Sequence, residues 1–190
     1  PHFHHGQYYI DEFHKALNHC SSERKTQATQ EINHIKSALE ELACFDEVVR
    51  QLPNRVVHFD TKISNFLFDE DFNVKALIDL DTLMPGSILS DVGDMIRTYS
   101  NKLGEESTDF DRIKADPETV ETIVDSILQH TQLTDLEKNH LFFAGKAITL
   151  MQSIRFLTDF LKGDVYYAIN HPFHNLNRAK NQFILYDSMN

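Results

Sequence analysis

His58, Asp60, Lys62 and Asn65 stand close together in Val56-Val-His-Phe-Asp-Thr-Lys-Ile-Ser-Asn-Phe-Leu-Phe-Asp69, and Ile78-Asp-Leu-Asp-Thr82 follows shortly after. These residue types in this spacing can gather three functions at one point. The Asp60 carboxylate can accept a hydroxyl proton, the Lys62 ammonium can neutralise a phosphoryl oxygen, and the Asn65 amide oxygen can bind a magnesium ion. Asp79, arriving on a second strand, can give the same metal a carboxylate, since magnesium prefers hard oxygens and completes its octahedron with water and substrate phosphates. That is the inventory of phosphoryl transfer, in which positioning and charge neutralisation carry most of the catalysis. Alone, Asp-x-Lys-x-x-Asn is also a turn pattern in which Asp and Asn bond their own backbone. The apolar strand ending in Ile78-Asp79 moves the reading to chemistry.

The elements that must position these residues are mostly helical. Tyr9, Ile10, Phe13 and Leu17 mark an amphipathic helix over 8–19. Ile32, Ile35, Leu39 and Leu42 alternate steps of three and four, which predicts a second helix over 23–52, closed by Pro53. The period then shortens to apolar runs: Val56-Val57, Phe66–Phe68 and Val74–Leu80, with Asp69–Asn73 as the polar turn of a β-hairpin. Beyond Gly86 the helical period returns with Leu89, Val92, Ile96 and Tyr99, and 102–116 reads as a polar loop. Asp116-Pro117 reads as an N-cap with proline at the first helical position, and Thr134-x-x-Glu137 as a capping box opening a helix that ends near Gly163. A last helix is predicted over 175–188. The expected fold class is α+β, mostly α, with a small hairpin carrying the site.

The chain has 190 residues, 41% of them hydrophobic, enough for one domain with a core. Its 18 basic against 29 acidic residues leave a formal charge of −11. A negative surface repels phosphate, which argues against nucleic acid or anionic membrane as partner. No apolar run reaches bilayer length, so the chain reads as soluble and cytoplasmic. Cys20 and Cys44 lack metal or disulfide spacing and read as reduced thiols. His2, His4 and His5 at the start and His171 and His174 around Pro172 read as surface or loop-shaping residues, since a zinc site wants a cysteine or carboxylate at ligand spacing. The start at Pro1 without Met reads as a piece of a longer polypeptide.

His58-Phe-Asp60-Thr-Lys62-Ile-Ser-Asn65, then Ala76-Leu-Ile-Asp79-Leu-Asp81-Thr-Leu-Met84-Pro85-Gly86 and Asp91-Val-Gly-Asp, resembles the C-terminal lobe of aminoglycoside-phosphotransferase-like kinases, which are protein-kinase-like. Within them the likeness is greatest to the N-acetylhexosamine 1-kinases. The run Arg155–Tyr166 and then Asn175-Leu-x-Arg178-Ala-Lys-x-Gln182-Phe also looks like that subfamily, so the likeness extends from about Tyr8 to the end of the chain.

The resemblance implies roles. Asp60 is the catalytic carboxylate that orients the sugar's anomeric hydroxyl and takes its proton. Lys62 sits where related kinases keep a lysine for the transferred phosphate. Asn65 and Asp79 hold Mg2+, and ATP is the phosphoryl donor. Asp91 steadies the catalytic loop through backbone N–H groups, or simply caps a helix. His58 packs beneath the loop. Arg155 and Tyr166 contact the sugar, the guanidinium bridging hydroxyls or an acetamido oxygen and the ring stacking on the pyranose; otherwise Arg155 pairs with Asp159 and Tyr166 is core. Asp81 can be a second metal residue or part of a polar network, and Phe59 departs from the Asn or Gly usual beside the catalytic Asp.

No Gly-rich phosphate loop, strand lysine or partner glutamate precedes the loop. Residues 1–190 are therefore expected to be a single catalytic and acceptor-binding lobe without the N-terminal nucleotide lobe, with weak or no turnover alone. The acceptor can also be another alcohol of the family's range, such as choline, homoserine or an aminoglycoside. A rival reading takes Asp79-x-Asp81-x-Thr82 as the nucleophile motif of haloacid-dehalogenase-type phosphatases, which requires alternating strands and helices downstream. A third reading is a non-catalytic binding lobe, which the intact Asp60, Asn65 and Asp79 oppose.

Overall fold

The structure, a computed structural model, describes residues 3–190; His2 lies outside them. It is mostly helical, with two small antiparallel sheets. Helix α7 (Leu141–Lys162) is apolar almost all round and buried along most of its length, as a central helix must be. Helices α1 (Gly6–His19), α3 (Thr29–Val49), α4 (Ile88–Ser100) and α8 (His174–Asp187) pack around it.

Two long predicted helices are each divided, for the same kind of reason. The stretch expected over 23–52 splits into α2 (Ser22–Gln27) and α3, with fully buried Ala28 at the corner. There Thr26 Oγ1 donates to the Ser22 carbonyl and Thr29 Oγ1 to those of Lys25 and Thr26, and such hydroxyl bonds compete with the helical ladder. Thr134 and Glu137 do form the capping box, but it opens only α6 (Asp135–Asn139). The Leu136 carbonyl, which a continuing helix would bond through the His140 N–H, instead lies 2.7 Å from the His140 ring Nδ1, and the backbone turns there before α7. Helix α5 (Pro117–His130) is capped by Asp116, whose carboxylate accepts from the Thr119 N–H.

Strands β2 (Phe66–Phe68) and β3 (Val74–Leu77) form the hairpin in the register Phe66↔Leu77, with a bulge between Leu67 and Phe68. Asp69 closes its turn by accepting from the Asp71 and Asn73 N–H groups. The second strand ends three residues earlier than the apolar run predicts, because Asp79 takes a left-handed φ of 61° and starts a 3-10 turn over Leu80–Thr82. A second pair joins β1 (Arg55–Val57) to β4 (Met84–Gly86), with Arg55 opposite Gly86. Among the described residues every strand pairing is antiparallel and only helices follow β4, so the parallel sheet demanded by the phosphatase reading does not form.

An ion pair ties this region to the helices, and a close glycine contact ties two of the helices together. Arg55 donates to both carboxylate oxygens of buried Glu137, at 2.7 and 2.8 Å, which lashes β1 to α6. Helices α4 and α7 meet at glycines: a Cβ on Gly93 would lie 2.6 Å from the Ala144 carbonyl oxygen and 2.5 Å from Ile148, and one on Gly145 2.5 Å from Ile96.

Gly93→Ala therefore forces backbone apart in a packed core. The expected cost is about 2 kcal/mol, read as a fall in melting temperature of about 4–8 °C by calorimetry. The Arg55 ion pair holds the Glu137 pKa below its usual value, against the opposing effect of burial. A depressed carboxylate stabilises the fold above its unfolded pKa and loses that stabilisation as pH falls through the lower folded value. Glu137→Gln is thus expected to cost about 1–3 kcal/mol at neutral pH, with the gap from wild type closing only below about pH 4.5 in urea titrations.

Candidate active site

The segment after β1 turns sharply because Phe59 takes a left-handed φ of 65°, a strained conformation for an aromatic residue. Helix α4 holds it there. The Asp91 carboxylate accepts from the His58 N–H at 2.9 Å and the Phe59 N–H at 2.8 Å. One turn on, Asp94 accepts from the Thr61 N–H at 2.8 Å, while the Thr61 hydroxyl donates to the Asp91 carbonyl. The Tyr99 hydroxyl donates to the Thr61 carbonyl at 2.6 Å, and its pKa is pushed up to about 12 by burial and by Asp94, so it stays a donor. From the other side the Thr82 hydroxyl donates to the His58 carbonyl. Burial raises the Asp91 pKa, and its two N–H partners oppose that rise. Ser87, not Asp91, caps α4 by accepting from the Leu89 N–H.

The loop so held carries Asp60. Its Oδ2 accepts from the Lys62 ammonium at 2.7 Å and from the Asn65 Nδ2 at 3.0 Å. Lys62 and Asp60 are both partly exposed, whereas Asn65 is buried. The Asn65 amide nitrogen also donates to the Asp60 carbonyl, so its two known bonds use the NH2 group and leave the amide oxygen for another ligand. Asn65 and Asp79 flank the open end of the hairpin, where the Ile78 N–H donates to the Asn65 carbonyl at 2.9 Å. The Asp79 carboxylate is exposed and makes no hydrogen bond or ion pair among the described residues. One amide oxygen and one unengaged carboxylate fit a magnesium ion that keeps water and phosphate in its shell. Asp81 is likewise exposed. His58 is buried, with its Nε2 3.1 Å from the Ile78 carbonyl oxygen, which fastens the loop to the end of β3.

Asp60 stands at the edge of a cavity of about 510 Å³, with Lys62, Phe59 and His4 beside it and Arg155 and Tyr166 on the wall formed by α7 and the turn after it. Arg155 does not pair with Asp159. It donates to Gln152 at 2.8 Å and lies over the rings of Tyr9 and Tyr167. Asp159 is occupied by the N–H groups of Val165, Tyr166 and Tyr167, at 2.9–3.1 Å, and by Asn175 Nδ2. That clamp holds the turn in place with Tyr166 73% exposed rather than in the core.

The sequence reading gave no role to Asp94 or Arg97 and placed His4 at the surface. Asp94 shares the loop-holding work, and its spacing of three from Asp91 puts both on one face of α4, which was the available signal. Buried Arg97 then pairs with Asp94 and Glu105; burial opposes its charge, and those carboxylates together push its pKa up. His4, expected at the surface, is 9% exposed and part of the cavity wall. Position alone gave no hint of that.

Residues 1–118 match the model of the phosphotransferase enzyme family, APH. The chain belongs to that family. The matched residues include the whole of the Asp60 loop, the hairpin and α4, and membership of the family points to a small-molecule phosphotransferase. Kinases of this family use ATP and Mg2+ in general. Arg155 and Tyr166 lie beyond the matched residues and line the same cavity as Asp60. Among the described residues no helix is long and apolar enough to cross a membrane.

Asp91→Ala would leave the His58 and Phe59 N–H groups without an acceptor and release the strained turn. The expected result is a loss of about 2–4 kcal/mol in stability by chemical denaturation, with faster amide exchange at His58 and Phe59 than in the α7 core.

Proposed function

We propose that this chain is the C-terminal catalytic lobe of an ATP- and magnesium-dependent, protein-kinase-like enzyme that phosphorylates the anomeric hydroxyl of an N-acetylhexosamine. The observation that carries the reading is the Asp60 loop at the cavity edge: one Asp60 oxygen is bound by Lys62 and Asn65, and the other is left to face an acceptor. In this reading the acceptor O–H gives its proton to Asp60 as its oxygen bonds to the γ-phosphorus and the bond to the β–γ bridging oxygen breaks, releasing ADP. Lys62 lies two residues on, where an ammonium can meet the charge of the transferred group. Asn65 and Asp79 would hold the magnesium, which supplies charge neutralisation on the phosphates. His58 and Asp91 keep the loop in its shape.

The cavity wall supports an uncharged sugar over the cationic acceptors of the family. Its carboxylates are already engaged: Asp60 with Lys62, and Asp94 and Glu105 with Arg97. Arg155 has no carboxylate partner among the described residues. Choline or an aminoglycoside would meet the Arg155 guanidinium there with no carboxylate beside it, whereas a hydroxyl or acetamido oxygen would find a donor. The exposed Tyr166 ring is suited to stacking on a pyranose face.

A nucleotide lobe over the hairpin would account for the apolar surface around it. Val56, Phe72 and Leu80 are 74%, 86% and 53% exposed, next to the proposed metal ligands. An apolar patch of this kind marks an interaction surface.

The test is magnesium-dependent ADP release by the parent polypeptide carrying both lobes, with N-acetylglucosamine, N-acetylgalactosamine, plain hexoses, choline and kanamycin as acceptors. Release stimulated by an N-acetylhexosamine and reduced about a hundred- to ten-thousand-fold in kcat by Asp60→Asn is the expected outcome. Stimulation by choline or kanamycin alone would refute the sugar assignment.

A further inference from the structure

His4 precedes α1 with a left-handed φ of 50°, and its ring meets that of Phe59, itself left-handed, edge-on at 5.5 Å. Two strained residues from distant parts of the chain thus brace each other directly beside Asp60. Strain held in this way collects where a side chain must be aimed. The Phe59 ring is seated in turn on Gly86, where a Cβ would come within 2.5 Å of it, so the brace has no room to slide toward β4. His4 lines the same cavity as Asp60, Gln152 and Arg155.

The two ring nitrogens differ. Nδ1 is sealed from solvent and has no hydrogen-bond partner. Nε2 is not among the sealed, unpartnered atoms and bonds no described residue, and the residue lines the cavity. A buried lone pair is more readily left unpaired than a buried N–H, which assigns the proton to Nε2. The ring is also uncharged. Burial lowers its pKa to about 4, Asp94 and Asp60 pulling the other way and Arg155 and Arg97 adding to the depression. At neutral pH it therefore offers one N–H donor and no charge.

We infer that His4 is an acceptor-binding residue whose Nε2–H donates to an uncharged oxygen of the substrate, beside the hydroxyl that faces Asp60. The inference rests on the cavity being the acceptor site. It adds a second donor, on the wall before α1, to the guanidinium of Arg155 on α7. An uncharged polyol satisfies both, and a substrate offering an ammonium at that point leaves the N–H unmatched.

The experiment is calorimetric binding of N-acetylglucosamine and N-acetylgalactosamine to the 190-residue chain, in wild type, His4→Phe and His4→Gln, with 15N NMR of the wild-type ring. His4→Phe keeps a ring against Phe59 but removes the donor, and His4→Gln restores an N–H. The expected result is binding about ten-fold weaker in His4→Phe and within about three-fold of wild type in His4→Gln, with the Nε2-protonated form seen in the free protein and its signal shifted by sugar. Equal affinity of wild type and His4→Phe would overturn the inference, as would a ring protonated at Nδ1 or unmoved by bound sugar. If His4→Phe does not fold, His4→Gln and the wild-type ring signal still decide. No binding by the wild-type chain to any polyol tried would overturn the acceptor reading itself, a pattern distinct from equal binding by wild type and variant.

Discussion

Two carboxylates on the first turns of α4 carry the site. Asp91 and Asp94 together accept three consecutive-region N–H groups, those of His58, Phe59 and Thr61, and thereby hold a left-handed aromatic residue that the chain would not otherwise keep. Asp60 lies between the bonded positions, so its direction is set by a helix rather than by its own loop. Removing water from such carboxylates is costly unless their oxygens are filled, and here backbone donors and Arg97 fill them. The geometry of the Asp60 loop therefore depends on α4 being correctly seated, and α4 is seated by Gly93 and Gly145 against α7.

How much of this was legible in the sequence follows from the range of each interaction. Periodicity marked the helices, and Asp116 and Thr134 marked helix starts, because a cap acts within a single turn. The grouping of Asp60, Lys62 and Asn65 was readable because those residues sit on one short loop, where Lys62 and Asn65 both bond the Asp60 carboxylate. The breaks at Ala28 and His140 were hidden, since a hydroxyl or imidazole bonding a nearby carbonyl leaves the apolar period intact. The pairing of β1 with β4 was hidden for another reason: it is three residues long, places exposed Val56 opposite Pro85, and has no alternation to detect. His4 could not be read at all, because its burial is decided by Phe59, far along the chain.

The two sides of the site are held in different ways. The Asp60 side is fixed by charge and backbone hydrogen bonds from α4. The Tyr166 side is fixed by Asp159, which gathers the N–H groups of Val165, Tyr166 and Tyr167 and leaves the Tyr166 ring outward. The matched family residues cover the first and stop before the second. On the second side the clamp is made by backbone N–H groups, so a side chain there can change without disturbing it.

The glycine contact between α4 and α7 has a geometric meaning for the cavity. One helix anchors the Asp60 loop and the other bears Arg155, and at Gly93 and Gly145 they approach too closely to slide or rock past one another. The span from carboxylate to guanidinium is thereby a fixed gauge. For the acceptor proposed above, that gauge would act as a calliper with locked jaws: a molecule reaching both ends would be held with its hydroxyl at Asp60, and a shorter or longer one would give up one end to keep the other.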